Sequence, residues 1–279
     1  PLACLTLLAP WREHPHLAET YQQQQQLMED LLQNPLPVGY NQSTPTDIDS
    51  SLWLRRCLAI HGRSSSLSLD AYLESGWRPE TGITTYPEVG PISAYIQRPD
   101  NEMKGWSTFH DCVLANLASD TQLPNAIQAL SMLRQRLKNK EFASFWWPLD
   151  GLMLSLLPRG AIARSEVKRV SNQSLPPAVK ATMPKENAMA LTTFSRCLMQ
   201  SRHGTQREQN EAQTELDSLI TSPESFENLL VMQLPDPECN DPMAQTQWRW
   251  DGGMEGSLAP DPNGYLAAAL LLAAQVRSK

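Results

Sequence analysis

His110 and Asp111 stand side by side, and a His-Asp pair is a recurrent unit of metal-dependent phosphohydrolases. Neighbours on a helix point about 100° apart, so the pair needs a further His and Asp from elsewhere. His61 is one source. With Cys112 it gives a set of His61, His110, Asp111 and Cys112 on which a hydrolase reading rests. Cys57 and His61 lie four apart on a predicted helix and share a face, and His14 and His16 would complete a four-ligand zinc set on paper. None of these spacings is a zinc-finger or protease signature, so no bound metal and no cofactor is expected. Cys112 and His110 lie two apart, and Cys197 and His203 six apart, so neither pair meets on one helix face. The sole Gly-Gly, in "WDGGMEG", lacks the Lys-Ser/Thr of a phosphate loop, and its Asp251 and Glu255 are a lone acidic pair. No residue is assigned a catalytic role.

Aromatic residues give the clearer contact candidates. Trp248 and Trp250 flank Arg249, and at strand spacing both indoles lie on one side. Such a pair serves as a carbohydrate or peptide platform or, as the favoured reading, anchors the long loop that carries it. In "FASFWWPLDGLMLSLL" the spacing pairs Phe142 with Trp146 on a helix that Pro148 ends. Trp147 then faces outward as a partner contact. The apolar run after Pro148 is too short to span a bilayer and is expected in the core.

The totals narrow the function classes. The chain has 279 residues, 41% hydrophobic and only 19% charged, with 22 prolines and 13 glycines. Many prolines and few glycines favour helices stopped by Pro over Gly-turned strands. A net charge of −7 disfavours nucleic acid and anionic membrane surfaces as partners. The most basic stretch, "RGAIARSEVKR" from Arg159, reads as a solvated helix face. Five scattered cysteines without CxxC pairs fit reduced thiols in the cytoplasm. The longest apolar run, Gly264 to Val276, is too short for a membrane span unless the parent chain continues.

The elements that must position these residues are helical. Apolar periodicity runs through most of the chain, and the fold class is mainly α: a multi-helix globular chain with at most one short β-hairpin or ordered loop near residues 83–97. Asp49 or Ser50 is placed to cap the helix of "SLWLRRCLAIH", and Ser222 the helix of "SPESFENLLVMQL". Pro184 and Gly204 bracket another. "SNQSLPPAVKATMP" divides a helical N-terminal domain, 1–170, from a helical C-terminal part, 171–279, unless one larger domain spans both.

Gly105 to Pro148 holds a tryptophan-led helix, "AIQALSMLRQRL" and a closing tryptophan and proline. That pattern resembles the amino-terminal helical domain of type VI secretion sheath-assembly proteins over about a sixth of the chain; generic helical hairpins match equally. The expected function is a non-catalytic adaptor or scaffold, acting through protein partners or self-association in a bacterial assembly such as a secretion machine. The alternatives are the hydrolase above and the carbohydrate or peptide binder built on Trp248 and Trp250.

Overall fold

The structure, a computed structural model, describes residues 2–221, 223–261 and 263–275. Among them are fourteen α-helices and two two-stranded sheets. In chain order the first elements are α1 (Leu2–Leu8), α2 (Ala18–Leu27), α3 (Glu29–Gln33), α4 (Ile48–Ile60), α5 (Leu67–Ser75), β1 (Trp77–Arg78), β2 (Gly82–Ile83) and α6 (Val89–Ile96). Then follow α7 (Asp111–Ala118), α8 (Ala126–Asn139), α9 (Asp150–Leu154), α10 (Arg164–Ser171), α11 (Pro177–Thr182), α12 (Lys185–His203) and α13 (Gln206–Leu219). The last elements are β3 (Val231–Leu234), β4 (Ser257–Pro260) and α14 (Tyr265–Gln275).

Six helices form a closed inner ring. α1 packs on α4, α4 on α7, α7 on α9, α9 on α12, α12 on α14, and α14 back on α1. α3, α5, α8, α10 and α13 lie outside, each against an inner neighbour. The two most enclosed inner helices explain the arrangement. Every residue of α7 and α9 is buried, so neither has a polar face to give to water. α12 approaches α9 so closely that a Cβ on Gly151 would lie 2.6 Å from Ser195 Oγ. Only glycine fits there.

Local chemistry starts and stops the helices. The Asp47 side chain accepts the Ser50 N–H at 2.7 Å and caps α4, three residues ahead of the turn that Ser50 would begin. Ser66 caps α5, and Thr205 with Glu208 forms a capping box on α13. Pro184 and Gly204 flank α12 as its sequence requires. Ser222 lies outside the described residues.

The β content sits elsewhere than the 83–97 window suggests. β2 enters that window at Ile83 and pairs back with β1, while Val89–Ile96 is helix α6. A second antiparallel pair, β3 with β4, takes Val231–Leu234, which helical periodicity claims. Its register sets Gln233 against Leu258 and Leu234 against Ser257. Four residues alternating buried and half-buried are a strand signal too short to compete with the helix pattern before them. The stretch from Ser171 to Pro184 carries the end of α10 and all of α11, with Val179 fully buried. The core runs through residues on both sides of it, and the ring is closed by helices from both halves. Among the described residues no helix is long and apolar enough to cross a membrane. α14 covers the terminal apolar run to Gln275, and Val276 lies outside the described residues.

Candidate active site at the mouth of the helix ring

Three consecutive inner helices begin with aspartates. Asp47 and Asp49 stand at the start of α4, Asp111 opens α7 and Asp150 opens α9. A carboxylate at a helix N-terminus is held by free N–H groups and by the positive end of the dipole. Here burial works the other way. It raises Asp47 to about 7 and Asp150 to about 6, although each accepts a backbone N–H. Asp49, bonded by Asn116 Nδ2 at 2.8 Å, is raised by burial to about 6. Asp111 is also raised by burial, against the pull of Arg136, with which it forms an ion pair.

Residues 142–147 form a crossbar over these helix starts. Periodicity predicts a helix here, but α8 ends at Asn139 and the crossbar is irregular. Its backbone supplies what the carboxylates need: Ala143 N–H donates to Asp111 Oδ2 at 3.1 Å, and Ser144 N–H to Asp150 Oδ1 at 2.9 Å. Trp146 is buried and Trp147 half-buried against the core. The divergence comes from a loop backbone, not from neighbouring positions on a helix.

His110 is enclosed by this crossbar and is 2% exposed. Trp146 Nε1–H donates to Thr85 Oγ1 at 2.9 Å, and Thr85 Oγ1 lies 2.6 Å from His110 Nδ1. An indole only donates, so the threonine hydroxyl accepts from Trp146 and passes its own proton toward Nδ1. Nε2 then carries the hydrogen and donates to Gly105 O at 2.8 Å. Every ring nitrogen is satisfied in the neutral tautomer. Burial lowers the His110 pKa to about 3, so the ring stays neutral at physiological pH. Phe145 stacks on it at 4.0 Å, and Trp106 meets Trp146 edge-on at 5.4 Å.

Two further segments close the mouth. Trp106 Nε1–H donates to Pro235 O and Gly105 N–H to Pro237 O, joining residues 97–110 to the β3–β4 hairpin. Arg98 adds a bidentate pair with Glu255, at 2.8 and 3.1 Å, and a bond to Glu102. Gln233, wholly buried, ties β3 to the crossbar by donating to Phe145 O and Trp146 O. Among the described residues its Oε1 has no hydrogen-bond partner.

The structure separates residues that the sequence groups. His61 ends α4, while His110 and Asp111 start α7; its Nε2 lies 3.2 Å from Tyr21 OH. The set of His61, His110, Asp111 and Cys112 is therefore not one site. Burial pushes the Cys112 thiol up to about 12, which leaves no thiolate for attack. Among the described residues no group of three or more His, Cys, Asp or Glu could hold a metal ion. Trp248 is buried and Trp250 half-buried against the core, so the pair offers no open platform. Asp47 and Asp150 carry no signature in the sequence: one reads as loop, the other as a polar break in an apolar run.

No family model and no curated protein matches the chain. Its fold is that of known structures. The type II terpene cyclase MstE from Scytonema, free of ligand, superposes with a TM-score of 0.73 at 19% identity, over 98% of this chain and 86% of that one. Variants of the same cyclase hold the substrate geranylgeranyl dihydroxybenzoate or the product merosterolic acid A. Each has a TM-score of 0.72, at 20% and 19% identity, over 98% of this chain and 85% of that one. A protein from Actinoplanes matches with a TM-score of 0.72 at 18% identity, over 98% of this chain and 87% of that one. At such identities the likeness shows a shared fold. It corrects the expectation of a non-catalytic adaptor or scaffold in a secretion-type assembly, because a protein that shares this architecture over nearly the whole of this chain, MstE, is a terpene cyclase whose variants hold substrate or product. The hydrolase and the carbohydrate- or peptide-binding alternatives fall with it.

Proposed function

We propose that this chain is a cyclase of isoprenoid chains, started by a proton from a buried aspartic acid at the mouth of the helix ring. The observation that carries the reading is the fold it shares with a terpene cyclase solved with substrate and product. The mouth supplies suitable chemistry. A carboxylic acid kept protonated by burial is a Brønsted acid, and aromatic faces stabilise the cation that protonation creates.

Asp150 is the donor that the surroundings favour. Asp111 is paired with Arg136, Asp47 is occupied in capping α4, and Asp49 accepts from Asn116 Nδ2. Among the described residues Asp150 has no cation within ion-pair distance; burial raises its pKa to about 6 against the weaker pull of the Ser144 N–H, Arg169 and Gln173. Trp106, Phe145 and Trp146 supply the aromatic wall. The Asp150 O–H proton adds to an alkene, and the resulting carbocation is attacked by the next alkene in the chain. The last cation loses a proton to a base, and Asp150 regains one from water. Product and substrate are isomers, and no redox partner is consumed. The crossbar and the 97–110 segment must part to admit a chain of that size. Five free cysteines support a reducing compartment, the cytoplasm, as the place of action.

The test is to incubate the purified chain with geranylgeranyl dihydroxybenzoate and with simple polyprenyl substrates, and to look for products of unchanged mass with fewer alkenes. Asp150→Asn should lower the rate by at least about 100-fold, since a proton donor commonly supplies that much. Product formation that survives Asp150→Asn would move the role to Asp47 or Asp111. No cyclised product from any polyprenyl chain would end the reading.

A further inference from the structure

The loop after α9 gathers arginines without acids to match them. Arg202 Nε–H donates to Leu157 O at 3.1 Å, Arg134 Nε–H to Ala161 O at 2.8 Å, and Arg164 Nη1–H to His203 O at 3.0 Å. Arg159 lies on the same loop. Glu208 pairs with Arg164; among the described residues no carboxylate pairs with Arg134, Arg159 or Arg202. In a chain of net charge −7 this is an unusual local balance. The stretch from Arg159 does not form one solvated helix face: α10 starts only at Arg164, and Arg159 is half-buried.

Among the described residues two buried atoms here lack hydrogen-bond partners. Arg159 Nε is enclosed and makes no hydrogen bond. His203, 7% exposed, donates from Nε2 to Leu154 O at 3.0 Å, which leaves Nδ1 with nothing. Backbone carbonyls account for one N–H on each of Arg134, Arg164 and Arg202. They account for nothing on Arg159, and leaving a guanidinium nitrogen buried and unpaired is costly. Burial lowers the pKa of Arg202 and of His203, and like charge adds to it: Arg159 on Arg202, and both arginines on His203.

We propose that Arg159, Arg202 and His203 form a binding site for a phosphate-type oxyanion. A tetrahedral oxyanion presents acceptors to both guanidinium groups, removes their mutual repulsion and favours a proton on His203 Nδ1, which would make that nitrogen a third donor. The ligand is either a free phosphate or diphosphate, or the diphosphate head of a prenyl chain.

The full chain should be titrated calorimetrically and melted with inorganic phosphate, diphosphate and geranylgeranyl diphosphate, each against sodium chloride at equal ionic strength. Phosphate or diphosphate should raise the melting temperature where chloride does not. Arg159→Ala should weaken that affinity about tenfold or more, as loss of a charge-assisted contact does. The ligand-free melting temperature of that variant should hold or rise, because the buried Arg159 Nε has no hydrogen-bond partner among the described residues. Arg159→Lys should keep part of the affinity. A prenyl diphosphate that binds more tightly than diphosphate identifies the prenyl head as the ligand; equal binding identifies a free oxyanion. A shift no larger than chloride's, or full affinity in Arg159→Ala, overturns the site. Binding is read without turnover, so its failure is separate from failure of the cyclase reading.

Discussion

His110 and His203 are both buried, both neutral and both at helix ends, yet they do opposite things with their second nitrogen. At the ring mouth, Trp146, Thr85 and the Gly105 carbonyl satisfy His110 completely. At the end of α12, His203 has one partner and one empty nitrogen beside two arginines. A buried polar group that is fully paired specifies a structure; one left half-paired marks room for something else. The same contrast divides the carboxylates. Asp111 is tied to a cation and a backbone N–H, whereas Asp150 accepts a backbone N–H and, among the described residues, has no ion-pair partner.

The comparison breaks first if His110 is dispensable. His110→Ala removes the ring stacked on Phe145, strips Thr85 and Gly105 of their partner and opens a cavity under the crossbar. Chemical denaturation should show a loss of about 4 kcal/mol, in the range of large buried truncations with an orphaned hydrogen bond. His203→Ala should cost less than half as much. Equal losses would mean that pairing does not distinguish the two sites.

Asp150 sharpens the contrast through pH. Its folded pKa of about 6 lies above the unfolded value near 3.8, so the folded state binds the proton more tightly. That contribution is fully present below about pH 4 and is lost as pH rises through 6. Above it, folding carries the cost of a buried carboxylate. Asp150→Asn cannot ionise and keeps an acceptor for the Ser144 N–H. It should therefore unfold about 2 kcal/mol harder than the parent at pH 8 and show little gain at pH 4. A variant that is more stable at pH 8 and inactive would mark a site where stability yields to function. Equal gain at both pH values would remove the raised pKa from the argument.

How much of this the sequence carries depends on the segment. α5, α12 and α13 are legible from caps and period, since their ends are set by Ser66, Pro184, Gly204 and the Thr205–Glu208 box. α7 and α9 are legible as short apolar helical runs but not in their orientation, because helices of eight and five residues buried all round have no polar face to set a phase. Val231–Leu234 follows a helix-like run and becomes strand only through its long-range partner at 257–260. His110 and Asp111 stand out by type, but their neighbours come from residues 85, 105, 136 and 143–146, which no local spacing connects. Asp150 is legible only as an interruption among leucines. Arg159 reads as surface until the loop that carries it is seen to fold inward.

Arg98 gives the smallest effect and tests how the mouth is covered. Its guanidinium joins Glu102 to Glu255, and thereby the segment before Trp106 to the β3–β4 hairpin, with its side chain about one-third exposed at 32%. The two carboxylates raise its pKa, chiefly through the hydrogen bonds Arg98 donates to Glu255. At that exposure, solvent screens the charges and the net contribution is about 1 kcal/mol or less. Arg98→Ala should barely move global stability. The contact of Trp106 with Pro235 and the close approach of Gly105 to the Cys239 carbonyl still hold the cover shut in the free protein. What should change is local opening: hydrogen exchange at residues 97–106 and 233–237 should quicken while the amides of α7 and α9 keep their rates. Added salt should produce part of the same change in the parent and none in the variant, because the interaction removed is ionic. If exchange in α7 rises in step with the cover, the mouth and the ring open as one unit, and the His110 network is not an independent floor beneath it.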